Sequence, residues 1–185
     1  MSDADTTQNH LDLFAAWLQG LGDDAEQMSL IVSSADATES AKQLVVGGLN
    51  YLFKTLDLIP DGIDDIGYLD DAFVLRVSAE LALQEDVGEL DADRVKVLNR
   101  LANEVDAIRE FLGKDYGRLF EYVKGLRKGP ARGRSPLDIV RDEGTLAAFL
   151  SDVRSFCREF VPPRFAREEK SLVKLRAFFD AKLPK

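Results

Sequence analysis

The sequence predicts an all-α protein that forms a single compact domain of about seven helices. Apolar residues recur at spacings of three and four along most of the 185 positions, as they do on the buried face of a helix. No segment alternates apolar and polar residues over the length of a strand. Because 45% of the residues are apolar and 31% are charged, the chain can bury one substantial core beneath a charged surface.

The first helices are predicted from apolar stripes and from the glycines that follow them. We expect residues 1–10 to form a flexible tail that leaves His10 solvated. A first helix follows and ends at Gly20 and Gly22, and residues 27–33 form a short second helix. The stripe of the first helix consists of Leu11, Phe14, Ala15 and Leu18.

Two further helices are expected on either side of an aspartate-rich segment. Residues 41–53 carry an apolar stripe, and Gly47 and Gly48 within it indicate close packing against another helix. Residues 72–84 are apolar on nearly every side, which is typical of a central helix.

The second half of the chain is expected to complete the bundle. Residues 95–123 show one long amphipathic pattern, with Gly113 and Gly117 as candidate breaks, so that residues 11–127 form a helical domain. Residues 128–136 hold two prolines and two glycines, which predicts an exposed basic linker. Residues 137–185 then form a C-terminal helical pair that we expect to pack on the first part.

The net charge of −9 conceals a strong asymmetry. Residues 1–93 contain 20 acids and 3 bases, whereas residues 94–185 contain 13 acids and 21 bases. The simplest interpretation is that unlike charges meet when the halves pack on each other or on a second copy. Alternatively, basic residues near the linker contact an anionic membrane surface or, less readily for so acidic a chain, nucleic acid. These residues are Lys124, Arg127, Lys128, Arg132 and Arg134.

The residue inventory excludes several chemistries. A structural zinc site needs about four cysteine or histidine ligands, and the chain offers only His10 and Cys157. No glycine-rich phosphate loop is present. The longest uncharged apolar stretch falls short of the roughly 20 residues that span a bilayer, and residues 1–9 contain no apolar block. We therefore expect a cytoplasmic protein with no transmembrane segment and no secretory signal.

Six aspartates lie between Tyr51 and Leu75, among aliphatic residues that would otherwise indicate a core. They are Asp57, Asp61, Asp64, Asp65, Asp70 and Asp71. In a structural interpretation Asp70 is the N-cap of the following helix and Asp71 lies at the positive end of its dipole. Leu69 and Val74 then form a hydrophobic staple around the cap.

The same interpretation makes the preceding residues a rigid helix-to-helix corner. Asp57 and Asp61 favour turns through bonds to nearby backbone amides, and Gly62 and Gly67 permit a positive φ. The aliphatic residues of the segment would be buried beneath the corner; they are Leu58, Ile59, Ile63, Ile66 and Leu69.

A functional interpretation of the aspartates is a site for Mg²⁺, Mn²⁺ or Ca²⁺, because clustered carboxylates repel one another unless they are protonated or neutralised. The candidate ligands are Asp57, Asp61, Asp70 and Asp71. An EF-hand is excluded, because Ile59 and Tyr68 would occupy ligand positions. Arg76, about one turn into the next helix, is an alternative internal partner for the carboxylates.

The order of residues in this segment also carries a family resemblance. Tyr51-Leu52 is followed by Asp57-Leu58-Ile59-Pro60-Asp61 and then by Ile66-Gly67-Tyr68-Leu69-Asp70-Asp71. Over about residues 40–85 this pattern resembles the YkvA-like family, a bacterial domain of unknown function. The motif positions here are Tyr51, Asp57, Pro60, Asp61, Gly67, Tyr68, Asp70 and Asp71. The resemblance implies a compact helical unit with no established activity or ligand, often found in proteins that also carry membrane-spanning segments.

Taken together, these features favour a non-enzymatic interaction or scaffold module that meets a protein partner or a second copy of itself, without a cofactor. One alternative is a divalent-metal-binding protein or metal-dependent hydrolase that uses the carboxylates between Asp57 and Asp71. Another is a peripheral binder of anionic membranes through the basic second half. Nucleic acid is the least expected partner.

Overall fold

A computed structural model describes residues 3–55, 57–63 and 65–185, and within them the protein is all-α, as predicted. Seven of the nine helices in this part of the chain are longer than ten residues. The helices are α1 (Asp3–Val32), α2 (Glu39–Tyr51), α3 (Leu69–Gln84), α4 (Ala92–Asn103), α5 (Val105–Leu112), α6 (Tyr116–Leu126), α7 (Pro136–Arg141), α8 (Glu143–Glu159) and α9 (Glu169–Lys182), with a 3₁₀ turn (Gly113–Asp115) between α5 and α6.

Helix α1 runs unbroken for 30 residues, so the predicted stop at Gly20 and Gly22 is wrong. The separate helix expected at residues 27–33 is the last part of α1. Burial explains the continuity, because Leu18, Leu21 and Ala25 on both sides of the glycines are fully buried. Packing of one long apolar face offsets the roughly 1 kcal/mol that each glycine costs inside a helix.

The tail expected at residues 1–10 also differs from the structure, because the described residues from Asp3 onward form the first turns of α1. His10, expected to be solvated, is only 2% exposed. Its ring centroid lies 5.5 Å from that of Phe14 and 5.5 Å from that of Phe111. Aromatic packing therefore fixes this end of the helix, which a polar N-terminal sequence does not reveal.

Helix α3 lies at the centre of the bundle, as its apolar pattern predicted, and nearly all of its residues are buried. It packs closely on α2, where a Cβ at Gly48 would lie 2.3 Å from the Ser78 hydroxyl oxygen. The glycine is thus required for the helices to approach, as the sequence indicated.

The long helix expected over residues 95–123 is divided into α4, α5, the 3₁₀ turn and α6. Gly113 adopts a φ of 55° at one break, which agrees with its role as a candidate break. Gly117 lies within α6 and does not interrupt it. These shorter pieces bend around α3 and bury Leu101, Ile108 and Leu119 against it.

The segment expected to be an exposed linker at residues 128–136 is an ordered tight turn. The backbones of Ala131 and Arg134 exchange two hydrogen bonds, and Arg132 and Gly133 have φ values of 48° and 74°. Asn50 of α2 donates a side-chain hydrogen bond to the Arg134 carbonyl at 3.2 Å. Side-chain bonds of this kind convert a Pro/Gly-rich segment into a fixed part of the fold.

Three helices, rather than the expected pair, follow this turn, and they share the core with the first half of the chain. Phe149, Val153, Leu175 and Phe179 are fully buried in that core. Seven basic residues beyond position 93 form ion pairs with acids of residues 1–93 in the described part of the chain, so unlike charges of the two halves meet. These pairs are Arg94–Asp91, Arg100–Asp24, Arg109–Glu80, Arg127–Glu85, Arg141–Glu39, Arg167–Asp12 and Lys174–Asp65. Among the described helices, none has the length and apolar character needed to cross a bilayer.

Candidate functional site

The aspartate-rich segment forms a corner, defined here as residues 52–68, between α2 and α3. Its backbone turns through short-range hydrogen bonds, among them Ile63 N–H to the Pro60 carbonyl at 3.0 Å and Gly67 N–H to the Ile63 carbonyl at 2.8 Å. Leu58 and Ile59 are buried beneath it, as expected. Leu56 and Asp64 lie outside the described residues.

Tyr51 and Asp70 hold this corner against the start of α3. The Tyr51 hydroxyl donates to Asp70 Oδ2 at 2.6 Å, and the Ile59 amide donates to the same oxygen at 2.9 Å. The Leu58 amide donates to the Tyr51 hydroxyl oxygen at 2.7 Å. All three bonds are buried, and two of them satisfy backbone amides, those of Leu58 and Ile59, that have no helical partner.

The prediction that Asp70 is the N-cap of α3 is wrong. The N-cap is Tyr68, which makes no side-chain capping bond, and Asp70 and Asp71 lie in the first helical turn. The predicted staple around Asp70 therefore does not form, because Leu69 is already helical. The dipole argument still holds, since both carboxylates lie at the positive end of the helix.

The sequence predicted a positive φ at Gly62 and Gly67, but the corner residue with a left-handed backbone conformation is Tyr68. Tyr68 has a φ of 65°, a conformation that costs a non-glycine residue about 1–3 kcal/mol. Gly67 is needed for a different reason, because a Cβ there would lie 2.4 Å from the Asp61 carbonyl oxygen and 2.9 Å from that of Ile63. The strain at Tyr68 thus directs its ring out of the corner and onto Phe160, 5.2 Å away between centroids.

The carboxyl cluster, which we define as Asp57, Asp61, Asp70 and Asp71, contains the four residues proposed as metal ligands. Burial, followed by the charges of Asp61 and Asp70, raises the pKa of Asp57 to about 7. Burial also raises the pKa of Asp70, and burial together with the charge of Asp70 raises the pKa of Asp71 well above its usual range. The structure therefore brings the four side chains into one electrostatically coupled group.

Three oxygens of the cluster are buried without a hydrogen-bond partner: Asp57 Oδ1, Asp70 Oδ1 and Asp71 Oδ2. No group of three or more potential ligands among the described residues is arranged to hold a metal ion. The divalent-metal site consequently stays a prediction. Asp65 lies apart from the cluster and pairs with Lys174, Nζ to Oδ1 at 2.6 Å.

Lys54 is a cation that interacts with the Asp57 carboxylate of the cluster, and sequence reasoning missed it. Its Nζ donates to the Tyr122 hydroxyl at 3.3 Å and lies 5.7 Å from the Tyr51 ring centroid. Burial lowers the pKa of Lys54, and the charge of Asp57 opposes that shift. A signal was available, since Lys54 is the only basic residue between Gln43 and Leu75.

Arg76, the internal partner suggested for the aspartates, instead points away from the cluster. It is 1% exposed and binds Glu104 and Asp24, with nitrogen–oxygen distances of 2.7 and 3.2 Å. Its guanidinium carbon lies 4.1 Å from the Trp17 ring centroid. This prediction is therefore wrong, because the partners come from α1 and the end of α4, which are far from Arg76 in sequence.

The five basic residues proposed as an anion contact are mostly engaged within the protein. Arg127 pairs with Glu85 at 3.9 Å, and Arg132 pairs with Asp152 at 3.5 Å. Arg134 also binds Asp152. Lys124 and Lys128 are the two that remain exposed without an ion pair in the described part of the chain, which leaves little concentrated charge for an anionic surface.

A groove of about 410 Å³ lies beside the carboxyl cluster, between the corner and the end of α8. Asp61 and Tyr68 belong to both the corner and the groove wall. Phe156, Glu159 and Phe160, from the end of α8, also line the groove. Tyr68, the strained residue of the motif, therefore faces a surface cavity, whereas Asp70 and Asp71 are buried.

The fold and this site define an all-α protein in which a buried carboxyl cluster supports a helix corner next to a groove. A family model described as a protein of unknown function (DUF1232) matches residues 41–76. The YkvA-like resemblance predicted from the sequence is consistent with that family, so the resemblance is confirmed for this segment. No curated protein and no solved structure gives a significant match to the chain.

Proposed function

We propose that the chain is a non-enzymatic helical interaction module, in which the corner fixes α2 against α3 and the adjacent groove contacts a protein partner. The observation that carries the proposal is the use made of Asp70. Its carboxylate accepts the Tyr51 hydroxyl and the Ile59 amide, so it serves the protein's own backbone. A catalytic carboxylate must contact substrate, whereas Asp70 and Asp71 are 0% and 2% exposed.

The groove supplies the features of a binding surface. Its volume of about 410 Å³ falls within the usual range for ligand sites, and aromatic rings line it. Aromatic residues are enriched at the centres of protein interfaces, where they carry much of the binding energy. Beside the groove mouth, Val161 is 80% exposed, which extends the apolar area beyond the cavity.

Panning a displayed library of random peptides against the full chain tests this function. We expect enriched peptides whose affinity falls at least about tenfold in Phe160→Ala, because truncating a central aromatic anchor commonly costs 2 kcal/mol or more. The matched control is Phe178→Ala, which removes a half-buried ring of α9 outside the groove. Circular dichroism would verify that both variants fold. Failure to enrich peptides, or equal effects of the two substitutions, would contradict the proposal.

A divalent cation is the second candidate, and the three unpartnered carboxyl oxygens are the observation that favours it. Under the proposed function, millimolar Mg²⁺, Mn²⁺ or Ca²⁺ should leave the Tm of the protein nearly unchanged, because a cation that does not bind the folded state cannot stabilise it. Thermal unfolding with each ion and with EDTA measures this. A rise of several degrees that is lost in Asp70→Asn would favour the metal function instead.

A further inference from the structure

We propose that the groove accepts an arginine side chain from a basic segment of a protein partner. This inference rests on the proposed function and names the chemistry of the partner. It follows from the rings, the charges and the openness of the same cavity.

The groove is lined by four aromatic rings that contact one another. Phe156 stacks on Phe160 with centroids 5.1 Å apart, and Tyr68 meets Phe160 edge-on at 5.2 Å. Phe53 lies edge-on to Phe156 at 6.4 Å. Ring faces attract cations, and arginine is the cation most often found on them.

The groove already contains one such contact. Arg132 places its guanidinium carbon 4.6 Å from the Phe53 ring centroid while its side chain stays 56% exposed. Arg132 also pairs with Asp152, which Arg134 neutralises further. At this end of the groove one ring and one carboxylate therefore hold a guanidinium. We propose that the partner's arginine is held in the same way at the other end.

Two carboxylates at the other end lack a cation. Neither Glu159, which is exposed, nor Asp61 forms an ion pair within the described residues, and the Tyr68 hydroxyl donates a hydrogen bond to the Asp61 carboxylate. With Asp152 already paired, Asp61 and Glu159 leave the groove with an excess of negative charge. A cation that entered between them would lie beside the Tyr68 and Phe160 rings and would satisfy charges that now face water.

Arginine fits this arrangement better than lysine because its planar guanidinium stacks on rings, binds carboxylates through two nitrogens and is more weakly hydrated. A peptide segment fits better than a free amine because the groove is open and Val161 stands at its edge. The flanking residues of a partner would cover that side chain.

Two capped pentapeptides test the inference: acetyl-Gly-Gly-Arg-Gly-Gly-amide and the same peptide with citrulline, which has the shape of arginine without its charge. In NMR titrations of the full chain, we expect saturable shifts of the Tyr68 and Phe160 ring resonances with the arginine peptide. The citrulline peptide should bind about tenfold more weakly, because it lacks the cation–π and charge terms. Glu159→Gln should weaken the arginine peptide about threefold or more, whereas Glu143→Gln at the other end of α8 should not.

Equal affinities for the two peptides, no saturable binding of the arginine peptide, or no effect of Glu159→Gln would each overturn the inference. The peptide panning separates this failure from that of the proposed function. Groove-dependent peptides that contain no basic residue would overturn the arginine site and leave the interaction module intact. An absence of groove-dependent peptides would reject the module itself.

Discussion

Replacing Arg76 by alanine is expected to lower the free energy of unfolding by about 3–5 kcal/mol, because it leaves Glu104 without its cation and the buried Asp24 with Arg100 alone. Asp24 and Glu104 bind the guanidinium at 3.2 and 2.7 Å, and Arg76 itself is 1% exposed. The substitution also removes the contact with Trp17 and the bond to the Ala72 carbonyl. Urea denaturation followed by tryptophan fluorescence measures the loss, since Trp17 is the only tryptophan.

The matched control is Arg141→Ala, which removes an arginine that pairs with Glu39 at 2.7 Å on the surface. Both side chains of that pair are largely exposed, so solvent screens the interaction and its loss should change stability little. If Arg76→Ala proved no more harmful than Arg141→Ala, the buried network would not hold α1, α3 and α4 together as the geometry indicates.

The sequence predicted those features that depend on local pattern and on the density of polar residues. Helical spacing identified the all-α class, and the unbroken apolar character of residues 72–84 identified α3 as central. The concentration of aspartates between Tyr51 and Leu75 located the corner. Gly48 predicted the close approach of α2 and α3. Each of these signals lies within a few residues of the feature that it predicts.

Features that depend on distant contacts were missed or assigned wrongly. Gly20 and Gly22 do not end α1, because buried neighbours on both sides stabilise the helix more than the glycines weaken it. Arg76 does not bind the aspartates one turn away, because Asp24 is brought beside it from 52 residues away. The groove joins the corner to α8, about 90 residues later, and no spacing in the sequence encodes that contact.

The site combines two costs that a merely structural corner does not need. Tyr68 holds a left-handed backbone conformation, and three carboxyl oxygens are buried without partners. Such costs are typical of functional sites, where stability is given up for a particular arrangement of groups. The backbone conformation of Tyr68 directs an aromatic ring into the groove. The buried carboxyl groups make the stability of the folded state depend on pH.

That pH dependence is expected to appear as a loss of stability between pH 5 and pH 8 that Asp57→Asn reduces, while the raised pKa values of Asp70 and Asp71 sustain the remainder. Folding raises the pKa of Asp57 from 3.8 to about 7, so the folded state binds a proton more tightly than the unfolded state does. The stabilisation from this proton is therefore present in acid and is lost as the pH rises towards 7. For a shift of this size, the loss over the interval is about 2–3 kcal/mol.

The measurement is the free energy of unfolding of the natural chain minus that of Asp57→Asn, determined by urea denaturation at pH 5, 6, 7 and 8. Taking this difference removes the contribution of His10, whose lowered pKa acts in the opposite direction over the acidic part of the range. The difference should fall steadily with pH, whereas the same difference for Asp23→Asn, an exposed aspartate of α1, should stay level. A level difference for Asp57→Asn would mean that the Asp57 carboxyl is either solvated or permanently paired.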